Sequence, residues 1–62
     1  MYWKIKVMFL DEHVEEYEFE RANPALRATV EYVENPVVWG VDVYHLENGE
    51  WHLWDQFGMR EG

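Results

Sequence analysis

Cysteine and serine are both missing from this 62-residue chain. Without cysteine there is no disulfide and no Cys-type zinc site. Thr29 is the sole aliphatic hydroxyl, and it falls in a predicted helix, where such a group usually bonds back to the chain, so nucleophilic catalysis is poorly supplied. Glycine occurs four times and never in a cluster, which excludes a phosphate-cradling loop. Basic residues are scarce. Lys4, Lys6, Arg21, Arg27 and Arg60 stand against 13 acids, for a net charge of −8, and only Lys4 and Lys6 lie close together. That balance disfavours nucleic acid and anionic lipid as direct partners and favours a basic protein. No apolar run is long enough to span a bilayer, and no basic start precedes one, so neither a membrane segment nor a signal peptide is expected. With no cysteine to oxidise, a cytoplasmic protein is the expectation.

What the chain does have is aromatic residues: four Trp, four Tyr and three Phe. A single domain over residues 1–62 buries only about 60% of its unfolded surface. Large side chains or self-association must make up what disulfides and metals cannot.

Periodicity places the elements. Residues 2–10 alternate, with Trp3, Ile5, Val7 and Phe9 on one side and Tyr2, Lys4, Lys6, Met8 and Leu10 on the other, a strand pattern. Residues 14–20 alternate too, Tyr17 and Phe19 against Glu16, Glu18 and Glu20. A loop of Asp11, Glu12 and His13 would pair Leu10 with Val14, Val7 with Tyr17, Ile5 with Phe19, Lys6 with Glu18 and Lys4 with Glu20, with His13 in the left-handed position. Asn23-Pro24 reads as N-cap and first residue of a helix over 25–34. Leu26, Val30 and Val33 form its apolar stripe, Glu31 and Glu34 sit where the helix dipole disfavours them, and Asn35-Pro36 ends it. Asn48-Gly49 then marks a two-residue type I′ turn between two β-rich runs. It would pair Glu47 with Glu50, Leu46 with Trp51, Tyr44 with Leu53, Asp42 with Asp55 and Gly40 with Phe57. Residues 58–62 read as a flexible tail.

The resulting order is ββαββ, an α+β fold. The helix returns the chain so that an all-antiparallel sheet has strand order 2-1-3-4 or 1-2-4-3, with the helix on one face. One helix covers one face. The covered face is expected to take Val37, Trp39, Val41, Val43 and Trp54, because Asp42 and Asp55 are costly to bury without partners. The open face would then carry Val38, Tyr44, Leu46, Trp51, Leu53 and Phe57, extended by Tyr2, Met8, Leu10 and the row Glu16, Glu18, Glu20. Aromatic at its centre and acidic at its edge, it has the layout of an interface core with a polar rim. Glu16, Glu18, Glu20, Asp42, Tyr44, Leu46, Trp51, Leu53, Asp55 and Phe57 are the expected partner-binding residues.

The alternative is a homodimer or assembly subunit packing this face on a second copy. The glutamate row has two readings, a solvated edge that blocks unwanted strand pairing, or spaced carboxylates that imitate a phosphate backbone and occupy a basic groove. Small acidic inhibitors of that second kind exist among viral and mobile-element proteins, an analogy of charge and size. Asp42 with Asp55 could share a proton or a metal, but no motif accompanies them, and a bulge would leave both solvated. His45 opposite His52 could hold a metal only with a third ligand. Tyr and Trp on a sheet could stack bases, but no basic groove accompanies them. No enzyme activity, cofactor or metal is expected.

Overall fold

The computed structural model describes residues 2–58. Its elements run β1 (Trp3–Phe9), β2 (Val14–Phe19), α1 (Ala22–Val33), β3 (Val38–Glu47) and β4 (Glu50–Phe57). All four strands join one antiparallel sheet in the order β2-β1-β3-β4, the first of the two orders the sequence allowed. The helix packs on one face, against β1, β2 and β3. Most of the expected tail, residues 59–62, lies outside the described residues.

The core is small and aliphatic. Ile5, Val7, Val41 and Val43 are fully buried between sheet and helix, joined by Val38 and Ala25. Trp3, Phe9, Phe19, Tyr32 and Phe57 pack around this centre rather than inside it. These five aromatic residues build a collar, and the β-branched strand residues fill the middle.

Helix α1 starts earlier than its sequence suggests. Arg21 is the N-cap, extended at φ −128° and ψ 151°, with no side-chain cap, and Asn23-Pro24 lies within the first turn. Proline is tolerated there because its missing N–H would be unpaired anyway. The buried stripe is also rotated. Ala25 and Thr29 face the core, and Leu26 and Val30 do not; Val30 is 56% exposed. The small residues Ala25, Ala28 and Thr29 let the helix sit close to the strands. Thr29 Oγ1 donates back to the Ala25 carbonyl at 2.8 Å, the usual resolution for a mid-helix threonine. No acid lies in the first turn and no base in the last, so packing, not the ends, holds this helix.

The first hairpin keeps the expected parity but slides by two residues. Ile5 faces Tyr17, Lys6 faces Glu16, Lys4 faces Glu18 and Trp3 faces Phe19. The turn is closed by Phe9 N–H donating to His13 O at 2.8 Å. Glu12, not His13, takes the left-handed position at φ 71°, and the Asp11 carboxylate accepts the His13 N–H at 3.0 Å. An Asx turn centred on Asp11 fixes the loop one residue earlier on each side.

The second hairpin follows its turn closely and then departs. Asn48 and Gly49 have φ of 52° and 79°, as a type I′ turn requires. Glu47 faces Glu50, Leu46 faces Trp51, and Tyr44 faces Leu53. Beyond that a bulge at Trp54 shifts the register, so Val43 faces Asp55, Asp42 faces Gln56 and Val41 faces Phe57. A second bulge, at Trp39, separates the pairs Met8–Gly40 and Phe9–Val38. Each inserted residue turns the residues that follow it to the opposite face.

Candidate interaction face

The sheet face opposite α1 is open. It presents Lys4, Lys6 and Met8 from β1, Glu16 and Glu18 from β2, Asp42, Tyr44 and Leu46 from β3, and Trp51, Leu53 and Gln56 from β4. Of the ten expected partner-binding residues, seven lie here: Glu16, Glu18, Asp42, Tyr44, Leu46, Trp51 and Leu53. Glu20 lies past β2, exposed in the bend before α1.

The other two are corrections. The Trp54 bulge turns Phe57 toward the core, where it packs with the buried cluster and lines a groove of about 300 Å³ with Leu26, Thr29, Val30 and Val33. The same bulge pairs Asp55 with Val43 and separates it from Asp42, so the two carboxylates form no pair. The Trp39 bulge exchanges two more assignments. Val38 is buried at 2% exposure, and Trp39 is exposed, lining a shallow pocket with Met8 and Val14. Trp54 does lie on the helix side, edge-on to Trp3 at 5.3 Å between ring centroids, yet the helix leaves it half exposed.

Two polar groups organise the open face. Asp42 is only 8% exposed. Its carboxylate accepts from the Gln56 amide at 3.2 Å and lies 3.4 Å from the Tyr44 hydroxyl. Burial, and then the charge of Asp42, push the Tyr44 phenol upward from its ordinary value. The bulge that separates Asp55 from Asp42 thus delivers Gln56 as the donor a near-buried carboxylate needs. Lys4 is the second group. Its ammonium lies 4.7 Å from the Trp51 ring centroid, 5.3 Å from that of Tyr44, and 3.9 Å from the Glu16 carboxylate. Both rings are half-buried. Leu53 and Tyr2 stay open, at 51% and 46% exposure.

The charge on this face is nearly balanced, since Glu16, Glu18 and Asp42 are met by Lys4 and Lys6. The excess acid sits at the perimeter, in the β1–β2 loop (Asp11, Glu12), the β3–β4 turn (Glu47, Glu50) and the bend at Glu20. The outer edge of β2 carries its own cluster. Glu15 accepts from Tyr17 Oη and contacts His13 Nε2 at 2.8 Å. The Tyr17 hydrogen bond, then that of His13, holds the Glu15 carboxyl below its ordinary value; Glu15 pushes the Tyr17 phenol up in turn. Tyr17 also stacks on Tyr32 at 5.9 Å.

His45 and His52 do face each other, with ring centroids 5.9 Å apart. Each has a glutamate near a ring nitrogen, Glu47 at 3.8 Å and Glu50 at 3.9 Å. Among the described residues no three such groups converge to hold a metal, and no helix is long and apolar enough to cross a membrane.

Fold and surface together define a small sheet-and-helix domain with one uncovered, aromatic-centred face. Comparison with protein-family models, with characterised proteins and with solved structures found no match to this chain.

Proposed function

We propose that this chain is a non-enzymatic protein-binding module that docks a partner on its open sheet face. The observation that carries this reading is the layout of that face. Tyr44, Leu46, Trp51 and Leu53 form a contiguous apolar and aromatic centre that no helix or strand among the described residues covers, and acids ring it. Interfaces share that plan, with buried aromatic anchors inside a polar rim. A chain of net charge −8 steers toward positive surfaces, so the partner presents a basic face. In its most specific form the contact blocks a nucleic-acid-handling protein in the cytoplasm. The β2 carboxylates Glu16 and Glu18 favour that form, because alternate residues of a strand stand about 6.7 Å apart, a spacing comparable with successive phosphates along an extended nucleic-acid strand. The likeness to small acidic viral and mobile-element inhibitors is one of charge and size.

A second reading, a homodimer or assembly subunit packed through the same face, draws support from the small core, since six apolar side chains are buried among the described residues. Pairing two such chains stabilises both.

The test is affinity capture from host extract with the wild-type protein, a Trp51→Ala/Leu53→Ala variant and a Glu16→Lys/Glu18→Lys variant, at low and high salt. A docking module should capture a basic protein that both variants lose and that salt releases. Capture that survives both variants would contradict the reading.

A further inference from the structure

The centre of the open face shows what chemistry it accepts. Two ring faces and one carboxylate, from β3, β4 and β2, converge on a single ammonium supplied by β1: Tyr44 at 5.3 Å, Trp51 at 4.7 Å and Glu16 at 3.9 Å. Ring faces attract cations within about 6 Å of the centroid. Charge alone does not bring a lysine there. Lys6 lies on the same face, directly opposite Glu16 and Asp42, and among the described residues it sits over no ring.

We infer that Tyr44, Trp51 and Glu16 form a seat for a cationic side chain of the docked partner, one that Lys4 occupies while the face is free. This rests on the docking reading above and names the group that face recognises. Lys4 can leave without any strand moving, because its four-carbon stem is flexible. It has somewhere to go, since Glu18 is its cross-strand neighbour, so the exchange strands no charge. A guanidinium is the better occupant, because it is planar, more weakly hydrated than an ammonium and able to stack on an aromatic face. The partner residue is therefore an arginine, and Lys4 sets a threshold that a lone weak cation does not pass.

The test uses a tetra-arginine peptide and its neutral tetra-citrulline counterpart as probes, with binding read by calorimetry. Lys4→Met empties the seat and keeps the stem. Lys6→Met makes the same change in net charge on the same face and leaves the seat filled. Lys4→Met should bind tetra-arginine about fivefold more tightly than Lys6→Met, the scale of one or two partly exposed cation–ring contacts. Adding Trp51→Leu should erase that gain, and tetra-citrulline should bind neither variant. Equal affinity in the two methionine variants would overturn the seat. If Lys4→Met does not fold, the wild type supplies the answer. The ring-shifted Lys4 side-chain NMR signals should move toward free-lysine positions as tetra-arginine is added, and signals that stay in place under saturating peptide would overturn it equally. The two ideas fail separately. Loss of the seat leaves capture by the whole face intact, whereas capture indifferent to face substitutions removes the docking reading whatever the peptide does.

Discussion

The two faces of this sheet are built from alternate residues of the same strands, yet they are organised on opposite principles. On the helix side, Ile5, Val7, Val41 and Val43 exclude water completely. On the other side, Lys4 and Asp42 lie among the aromatic and apolar groups, each satisfied by neighbours. The first face holds the fold. The second is backed by the first, and no helix among the described residues covers it.

Substitutions can break or sharpen this contrast. Ile5→Ala should cost about 3 kcal/mol by chemical denaturation, within the range for buried aliphatic truncations. Leu53→Ala, on the open face, should stay within about 0.5 kcal/mol. Similar losses at the two positions would mean that the open face is covered. Asp42→Ala is the exception expected on the open side. It leaves the Gln56 amide and the Tyr44 hydroxyl without their acceptor, and should cost about 1–2 kcal/mol.

Arg21→Asp tests whether packing alone holds the helix. It places an acceptor and a negative charge at an uncapped N-terminus, and should stabilise the chain by about 1 kcal/mol. The smallest effect is one of pH. The Glu15 carboxyl lies below its ordinary 4.5, through Tyr17 first and His13 second. A depressed carboxyl stabilises above its unfolded value, and that contribution is lost as pH falls through its lower folded value. Amide protection in the β1–β2 hairpin, relative to the intrinsic exchange rate at each pH, should therefore fall below about pH 4.5 in the wild type, and Glu15→Gln should flatten that dependence.

The sheet edges differ as well. The edge at β2 carries Glu15, Glu16 and Glu18. The edge at β4 is interrupted by the Trp54 bulge. Charge on one side and a kink on the other are both ways to stop edge-to-edge pairing.

The sequence made some of this legible and hid the rest for identifiable reasons. Asn48-Gly49 specifies its turn by backbone conformation alone, so the nearest pairs followed without error. The first hairpin has no glycine, and its register depended on whether Glu12 or His13 took the left-handed position. The Asp11 carboxylate decides that, and a two-residue slide keeps every face. Bulges at Trp39 and Trp54 do change faces, and nothing in alternation announces them. They moved Val38 and Phe57 inward, took Asp55 from Asp42 and put Gln56 in its place. The helix stripe held at Val33, which packs against the core, and was misread at Leu26 and Val30 because Ala25 and Thr29 look unremarkable beside them. Small residues face the core where a helix lies close to a sheet.

The most direct measurement is sedimentation velocity of the pure protein at micromolar concentration, at low and high salt. The docking account predicts a single species at the mass of one chain in both. A salt-tolerant dimer that dissociates on Trp51→Ala would contradict it, because the open face would then be occupied by a second copy of itself.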